Sequence, residues 1–246
     1  MKIKQYIPNT LTSFNLICGL ISITLIFKGD VVWASLFIFI AGIFDYLDGT
    51  SARLLKAYSE LGKQLDSLAD VVSFGVAPGI LIYHLLMVHC TGSANYLERM
   101  HITPYIALLI PVCSALRLAQ FNIDLRQEEN FIGLPTPANA FFFASIPLVL
   151  YLQPDLFTIF HLDFLNSFFS NTRVLAILTV FFSYLLISDF RIFSMKFKSL
   201  KWKGNQIRYV FLLLSLILLA LFSLSAIPII IMLYILMSIF FQNYFS

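Results

Sequence analysis

Apolar runs of about membrane length alternate with short polar breaks along almost the whole chain. They fall at residues 11–27, 31–53, 64–88, 104–122, 136–153, 173–188, 208–223 and 227–243. A helix that crosses a bilayer needs roughly 20 mostly apolar residues, and in lipid only helices and closed barrels satisfy their own backbone. The pattern therefore predicts an all-α, polytopic membrane protein with about eight transmembrane helices. The last two runs are read either as two spans or as one re-entrant hairpin. The opening MKIKQYIPNT is expected to be a short interfacial segment leading into an uncleaved first span, since no small-residue cleavage site follows the apolar run. Connections are short throughout, so residues 1–246 read as a single membrane domain.

Composition agrees with the pattern. The chain is 59% hydrophobic and 12% charged, with a mean hydropathy of +0.87, whereas soluble domains carry about 25% charged residues. The 26 phenylalanines read as lipid-facing and interhelical filler. Three scattered cysteines (Cys18, Cys90, Cys113) lack metal-ligand spacing, and no phosphate-binding glycine loop is present. Charge orients the bundle. Of the 16 lysines and arginines, only Lys28, Arg99 and Arg173 fall on one side of an eight-span arrangement. The other side, which carries both termini, is cytoplasmic by the positive-inside rule, and a cell (inner) membrane is expected. The basic run FKSLKWKGNQIR, lying between two spans, fits anionic headgroups rather than nucleic acid.

The stretch FDYLDGTSARLLKAYSELGKQLDSLAD breaks the apolar pattern in a chemically specific way. Asp45 and Asp48 are three residues apart near the end of the second span, and Asp66 and Asp70 four apart at the start of the third. Residues at those separations share a helix face, and the connection is short enough to make the two helices antiparallel neighbours. Two carboxylate pairs could then face each other near the cytoplasmic side. Acids in a membrane helix need partners. With only oxygen ligands nearby, a hard cation such as Mg²⁺ or Mn²⁺ suits them better than Zn²⁺. Gly49, Gly62 and Ala52 would allow close approach of a ligand. Arg53 could reach a phosphate or snorkel to the surface. Cation, small residues and arginine together suit a ligand that carries phosphates. Intramembrane acids also occur in cation- or proton-coupled transporters, but here they cluster at one end, and the far half of the chain has almost none.

Written out, the segment is Asp45-x-x-Asp48-Gly49-x-x-Ala52-Arg53, then eight residues, then Gly62-x-x-x-Asp66-x-x-x-Asp70. It resembles the complete signature of the CDP-alcohol phosphatidyltransferase family. The resemblance implies a helical membrane enzyme, usually homodimeric, that moves a phosphatidyl group from a CDP-linked lipid to an alcohol. It further implies that Asp45, Asp48 and Asp66 bind the metal, with Asp70 as ligand and general base. Gly49, Ala52, Arg53 and Gly62 would lie against the nucleotide diphosphate.

Further blocks are similar to the integral-membrane, serine-accepting bacterial branch of that family: PNTLTSFNLICG (8–19), LRLAQFNID (116–124), FIGLPTPANA (131–140) and, more loosely, LLISDFRIFSMKF (185–197). Gln120 and Phe193 depart from that branch, standing where an arginine and a proline would be expected. The resemblance implies CDP-diacylglycerol and L-serine as substrates and CMP as a product. Asn9 and Thr12 would then contact the CDP-lipid, and Arg117, Asn122, Arg191 and Lys196 the serine. Glycerol 3-phosphate or inositol phosphate is the alternative acceptor, because the aspartate signature handles only the shared CDP-lipid half.

Overall fold

The computed structural model of the chain describes residues 4, 6–90, 102–123, 131–152, 163–192, 202 and 205–241. Helices α1 (Tyr6–Phe27) and α2 (Val31–Leu55) form a hairpin and lead into α3 (Glu60–Cys90). Then come α4 (Leu109–Ile123, after a 3₁₀ turn at Thr103–Leu108), α5 (Thr136–Tyr151), the short α6 (Asp163–Phe169), α7 (Thr172–Ile187), α8 (Gln206–Phe222) and α9 (Ala226–Phe240). Strands β1 (Phe131–Ile132) and β2 (Arg191–Ile192) form a two-residue antiparallel pairing, Phe131 opposite Ile192 and Ile132 opposite Arg191.

The protein is a polytopic helical membrane protein. Tyr6–Phe27, Val31–Leu55, Glu60–Cys90, Thr103–Ile123 and Gln206–Phe240 are each long and apolar enough to cross a bilayer, and Thr136–Tyr151 and Thr172–Ile187 are shorter apolar helices. Every apolar run read from the sequence is helical, with shifted ends. Helix α1 begins at Tyr6, so Pro8 and Asn9 belong to it and not to a separate interfacial segment. Proline is tolerated there because the first-turn N–H groups have no intrahelical acceptor. Helix α3 begins at Glu60, ahead of its apolar run, because Ser59 caps it: its hydroxyl accepts from the Gly62 N–H at 3.0 Å. Gln206–Phe240 is not one straight helix. The backbone turns at Ser223 (φ 53°), and Ile207 and Phe211 of α8 pack against Leu233, Tyr234 and Met237 of α9. The two helices therefore run antiparallel.

Local chemistry sets the turns that place the acids. Gly29, at φ +83°, closes the α1–α2 turn, with the Asp30 N–H donating to the Leu25 carbonyl at 3.0 Å. Lys56 ends α2 in the left-handed conformation (φ 49°), and the Ala57 N–H reaches back to the Ala52 carbonyl at 2.9 Å. Chain reversal is complete within a few residues, so the end of α2 and the start of α3 are neighbours.

One core joins α1, α2, α3 and α5, packing small residues such as Cys18, Ala34, Ala41 and Ala140 around the Phe74 ring. A second joins α3, α4, α5, α7 and α9, with the Phe142 and Phe182 rings stacked 3.9 Å apart. Phenylalanine is thus interhelical filler in places and outward-facing in others, as at Phe27. Beyond Asp70, α3 widens into a π turn over Val71–Val76, where the Ala77 N–H bonds to the Val72 carbonyl. Pro78 supplies a reason: in a regular α-helix its ring would strike the carbonyl four residues back. The wider turn also lets the Ser73 hydroxyl donate to the Asn15 carbonyl of α1 at 3.0 Å.

Gly19 makes this α1–α3 contact possible, since a Cβ there would stand 2.9 Å from Ser73 Cα. Gly19→Val should separate the two helices and destabilise the fold by about 1–3 kcal/mol, the usual range for overpacking. A lowered thermal unfolding midpoint in detergent would register it, and an unchanged midpoint would contradict the close packing.

Candidate active site

Asp45 and Asp48 project from the end of α2 and Asp66 from the start of α3. Each offers a carboxylate oxygen, and the three oxygens lie within 4.8 Å of one another. Asp48 is buried and its Oδ2 accepts from the Thr12 hydroxyl of α1 at 2.7 Å. Asp70, one turn further along α3, is also buried, and its Oδ1 accepts from the Asn15 amide Nδ2 at 3.0 Å. It stands apart from the three-carboxylate set. One face of α1 therefore grips both aspartate pairs, through residues three apart.

The cluster fits a divalent cation on its own chemistry. Asp66 Oδ1 is buried and accepts no hydrogen bond among the described residues, and a buried polar atom left unpaired costs about 1–3 kcal/mol or more. Three carboxylates this close repel one another, and a hard, oxygen-seeking cation answers both problems.

Above the carboxylates is a cavity of about 790 Å³, within the range that binds small molecules and cofactors. Asp45, Asp48 and Asp66 line it, as do Asn9, Thr12, Gly49, Ala52, Arg53 and Gly62. All the residues expected to contact the CDP-lipid thus border one space. Their local roles differ. Thr12 is already engaged with Asp48. A Cβ at Gly62 would come 2.9 Å from Asn9 Oδ1, so that glycine admits the start of α1. A Cβ at Gly49 would meet nothing within 4 Å and would project into open space. The Arg53 guanidinium donates to the Thr50 hydroxyl at 3.2 Å and is exposed.

The residues expected to bind serine are less uniform. Arg117 of α4 is only 6% exposed, with its guanidinium carbon 5.6 Å from the Phe121 ring centre. Phe121 lines the cavity, Arg117 interacts electrostatically with Asp70, and its Nε has no partner among the described residues. Asn122 instead ties α4 to α3: its amide donates to the Ser67 hydroxyl at 2.8 Å and its carbonyl accepts from Lys63 Nζ at 3.4 Å. Lys196 lies outside the described residues, as does the side chain of Arg191. The sequence reading missed Asn15, although a lone amide inside an apolar span, three residues after Thr12, was a visible signal. It also missed Tyr46, Tyr58, Lys63 and Phe121 of the cavity wall, which no spacing singles out.

A membrane-embedded helical bundle with carboxylates poised for a cation beneath a nucleotide-sized cavity defines a class of protein that handles phosphate esters at the lipid surface. The match is more specific than that. The model of the CDP-alcohol phosphatidyltransferase family matches residues 5–185, and the chain belongs to this family. It is 36% identical over 191 residues to the CDP-diacylglycerol--serine O-phosphatidyltransferase of Bacillus subtilis, covering 76% of this chain and 89% of that one. The Helicobacter pylori protein of the same name is 32% identical over 213 residues, covering 85% and 80%. An archaetidylserine synthase of Methanothermobacter thermautotrophicus is 36% identical over 151 residues, covering 60% of each chain.

Gly49 separates a ligand role from a packing role. Because nothing stands within 4 Å of its missing Cβ, Gly49→Ala should keep or raise thermal stability, alanine being favoured in a helix by about 0.5–1 kcal/mol. The same change should raise the KM for the CDP-linked substrate about tenfold, equivalent to about 1.4 kcal/mol. An unchanged KM would remove Gly49 from the ligand surface.

Proposed function

We propose that the chain transfers the phosphatidyl group of CDP-diacylglycerol to L-serine, giving phosphatidylserine and CMP. The observation that carries this reading is the meeting of Asp45, Asp48 and Asp66 within 4.8 Å at a cavity also lined by Gly49, Ala52 and Arg53. The choice of serine draws on the names of the relatives and on the sequence blocks between residues 116 and 197.

In this mechanism Asp45, Asp48 and Asp66 would hold Mg²⁺ or Mn²⁺, and Asp70, set apart from those three oxygens, would reach the ion as a further ligand. When bound, the cation neutralises diphosphate charge and stabilises the departing CMP phosphate. Gly49 and Ala52 leave the surface of α2 bare, so the diphosphate approaches the backbone closely. Gly62 admits Asn9 to the same wall, and Thr12 keeps Asp48 turned toward the cavity. Arg53 at the rim offsets the phosphate charge that remains. The serine hydroxyl oxygen forms a bond to the lipid-linked phosphorus while the bond from that phosphorus to the CMP oxygen breaks. The hydroxyl proton passes to Asp70, because a neutral alcohol is a poor nucleophile and a carboxylate in hydrogen-bond reach can act as base.

An amino-acid acceptor carries a carboxylate that needs a cation. Of Arg117 and Asn122, the two candidates whose side chains are described, Arg117 better meets that need: it is buried, retains an unused donor among the described residues, and sits behind a cavity-wall ring; Arg191 and Lys196 stay candidates from the sequence. An arginine fork matches a carboxylate in two-point contact. The excess of basic residues on one side of an eight-span arrangement supports a site and both termini on the cytoplasmic face of the cell (inner) membrane. Residues 1–246 act as one domain, and the chain functions as a homodimer.

Purified protein with CDP-diacylglycerol and Mg²⁺ or Mn²⁺ should release CMP with L-serine but not with glycerol 3-phosphate, myo-inositol or inositol phosphate. Chelation of divalent cations should abolish turnover. Transfer to another acceptor with none to serine would overturn the assignment. Arg117→Ala should raise the KM for L-serine by at least about tenfold, the equivalent of 1.4 kcal/mol, and leave that for CDP-diacylglycerol nearly unchanged. Equal changes in both would take Arg117 out of the acceptor site.

A further inference from the structure

We propose that Asn15 is a positioning residue, holding the Asp70 carboxylate in the orientation from which it receives the acceptor's proton. The inference rests on the reading of Asp70 as base.

Asn15 is fully buried (0% exposed) in the middle of α1. Its Nδ2 donates to Asp70 Oδ1 at 3.0 Å. Its backbone carbonyl accepts from the Ser73 hydroxyl at 3.0 Å, on the π turn that follows Asp70. Helix α1 is thus tied to α3 twice through the same residue, at Asp70 and again three residues further on at Ser73, which fixes the amide along the axis of α3. A carboxylate with one oxygen engaged in this way loses rotation about its terminal bond and presents the other oxygen in one direction.

Packing gives no reason for an amide here. Asn15 Oδ1 has no hydrogen-bond partner among the described residues, and an orphaned buried acceptor costs about 1–3 kcal/mol. An apolar side chain would avoid that cost, so the side chain's contribution lies in its one bond, to Asp70. Asn15 and Asp70 both lie behind the cavity lining, which Thr12, one turn before Asn15, and Asp66, one turn before Asp70, do join. Among the described residues, Asn15 has no other route to the site than its bond to Asp70. Asn15 therefore acts on the reaction through Asp70 and not by touching substrate.

The test compares Asn15→Leu and Asn15→Ala with Asp70→Asn in the full-length protein. The Asn15 variants should lose kcat by about 10- to 100-fold, the usual effect of removing a group that orients a reactive side chain. KM for CDP-diacylglycerol and for L-serine should stay within about threefold, a shift of less than 1 kcal/mol. Asn15→Leu should match or exceed the unmodified protein in thermal unfolding midpoint, and Asn15→Ala provides the same kinetic reading if leucine is too large to fold. A kcat within threefold of the unmodified value in both variants overturns the proposal. So does a kcat loss matched by lower thermal stability or a raised lipid KM in both, which would mark Asn15 as structural. If Asp70→Asn keeps its kcat, the reading of Asp70 as base fails, and this proposal fails with it. If Asp70→Asn is inactive while the Asn15 variants are not, only the positioning role is lost.

Discussion

An ionised aspartate placed mid-helix in a bilayer costs about 2.5–3.5 kcal/mol on insertion scales, and neighbouring acids raise that cost by repelling one another. This chain carries four aspartates near the facing ends of two adjoining helices, three with oxygens within 4.8 Å. Such a cluster needs groups that hold its carboxylates and something that offsets their shared charge, a proton or a cation. Helix α1 meets the first need for Asp48 and Asp70, through Thr12 and Asn15. The buried Asp66 Oδ1, without a hydrogen-bond partner among the described residues, expresses the second. Much of the N-terminal half of the fold is arranged around this requirement.

The arrangement depends on backbone close approach more than on bulky packing. Gly19 lets α1 lie against Ser73, and Gly62 admits Asn9 beside the start of α3. Gly49 is different in kind, because its vacant side faces the cavity. Three glycines that look alike in the sequence thus serve two purposes: two allow interhelical contact, and the third leaves the cavity wall bare. The π turn after Asp70 fits the same scheme. It accommodates Pro78 and turns Ser73 toward α1, so a local distortion of α3 becomes a tie beside Asp70. Distortions of this kind recur at functional sites because they re-aim side chains that a regular helix would hold elsewhere.

Farther along the chain, tertiary contacts join segments that the sequence keeps apart. The β1–β2 pairing sets Phe131 and Ile132 against Ile192 and Arg191, and the Leu134 N–H donates to the Leu185 carbonyl at 2.9 Å. The block at 131–140 is thereby beside residues 185–192. Gly133 (φ +75°) allows the crossing, as a Cβ there would be 2.6 Å from the Leu186 carbonyl oxygen. Ile231 and Ile235 of α9 belong to the core shared with α3, α4, α5 and α7, and Tyr234 packs against it, so the last helical pair is anchored to the interior although it carries no recognisable motif.

The helical membrane architecture and the aspartate motif were legible in the amino-acid order itself. Length and hydropathy determine a lipid-embedded helix almost without context, because the bilayer leaves the backbone few alternatives. Spacing of three and four residues likewise dictates which acids share a face. The roles of single polar residues were not legible. Thr12, expected at the CDP-lipid, lines the cavity and also bonds to Asp48; Asn122, expected at the acceptor, also ties α4 to α3. Asn15 carried no signal beyond its polarity, and its bond to Asp70 spans 55 residues. Only the tertiary structure decided these partnerships, because a hydrogen bond depends on direction and on distances of about 3 Å, and helix packing alone brings such distant residues that close.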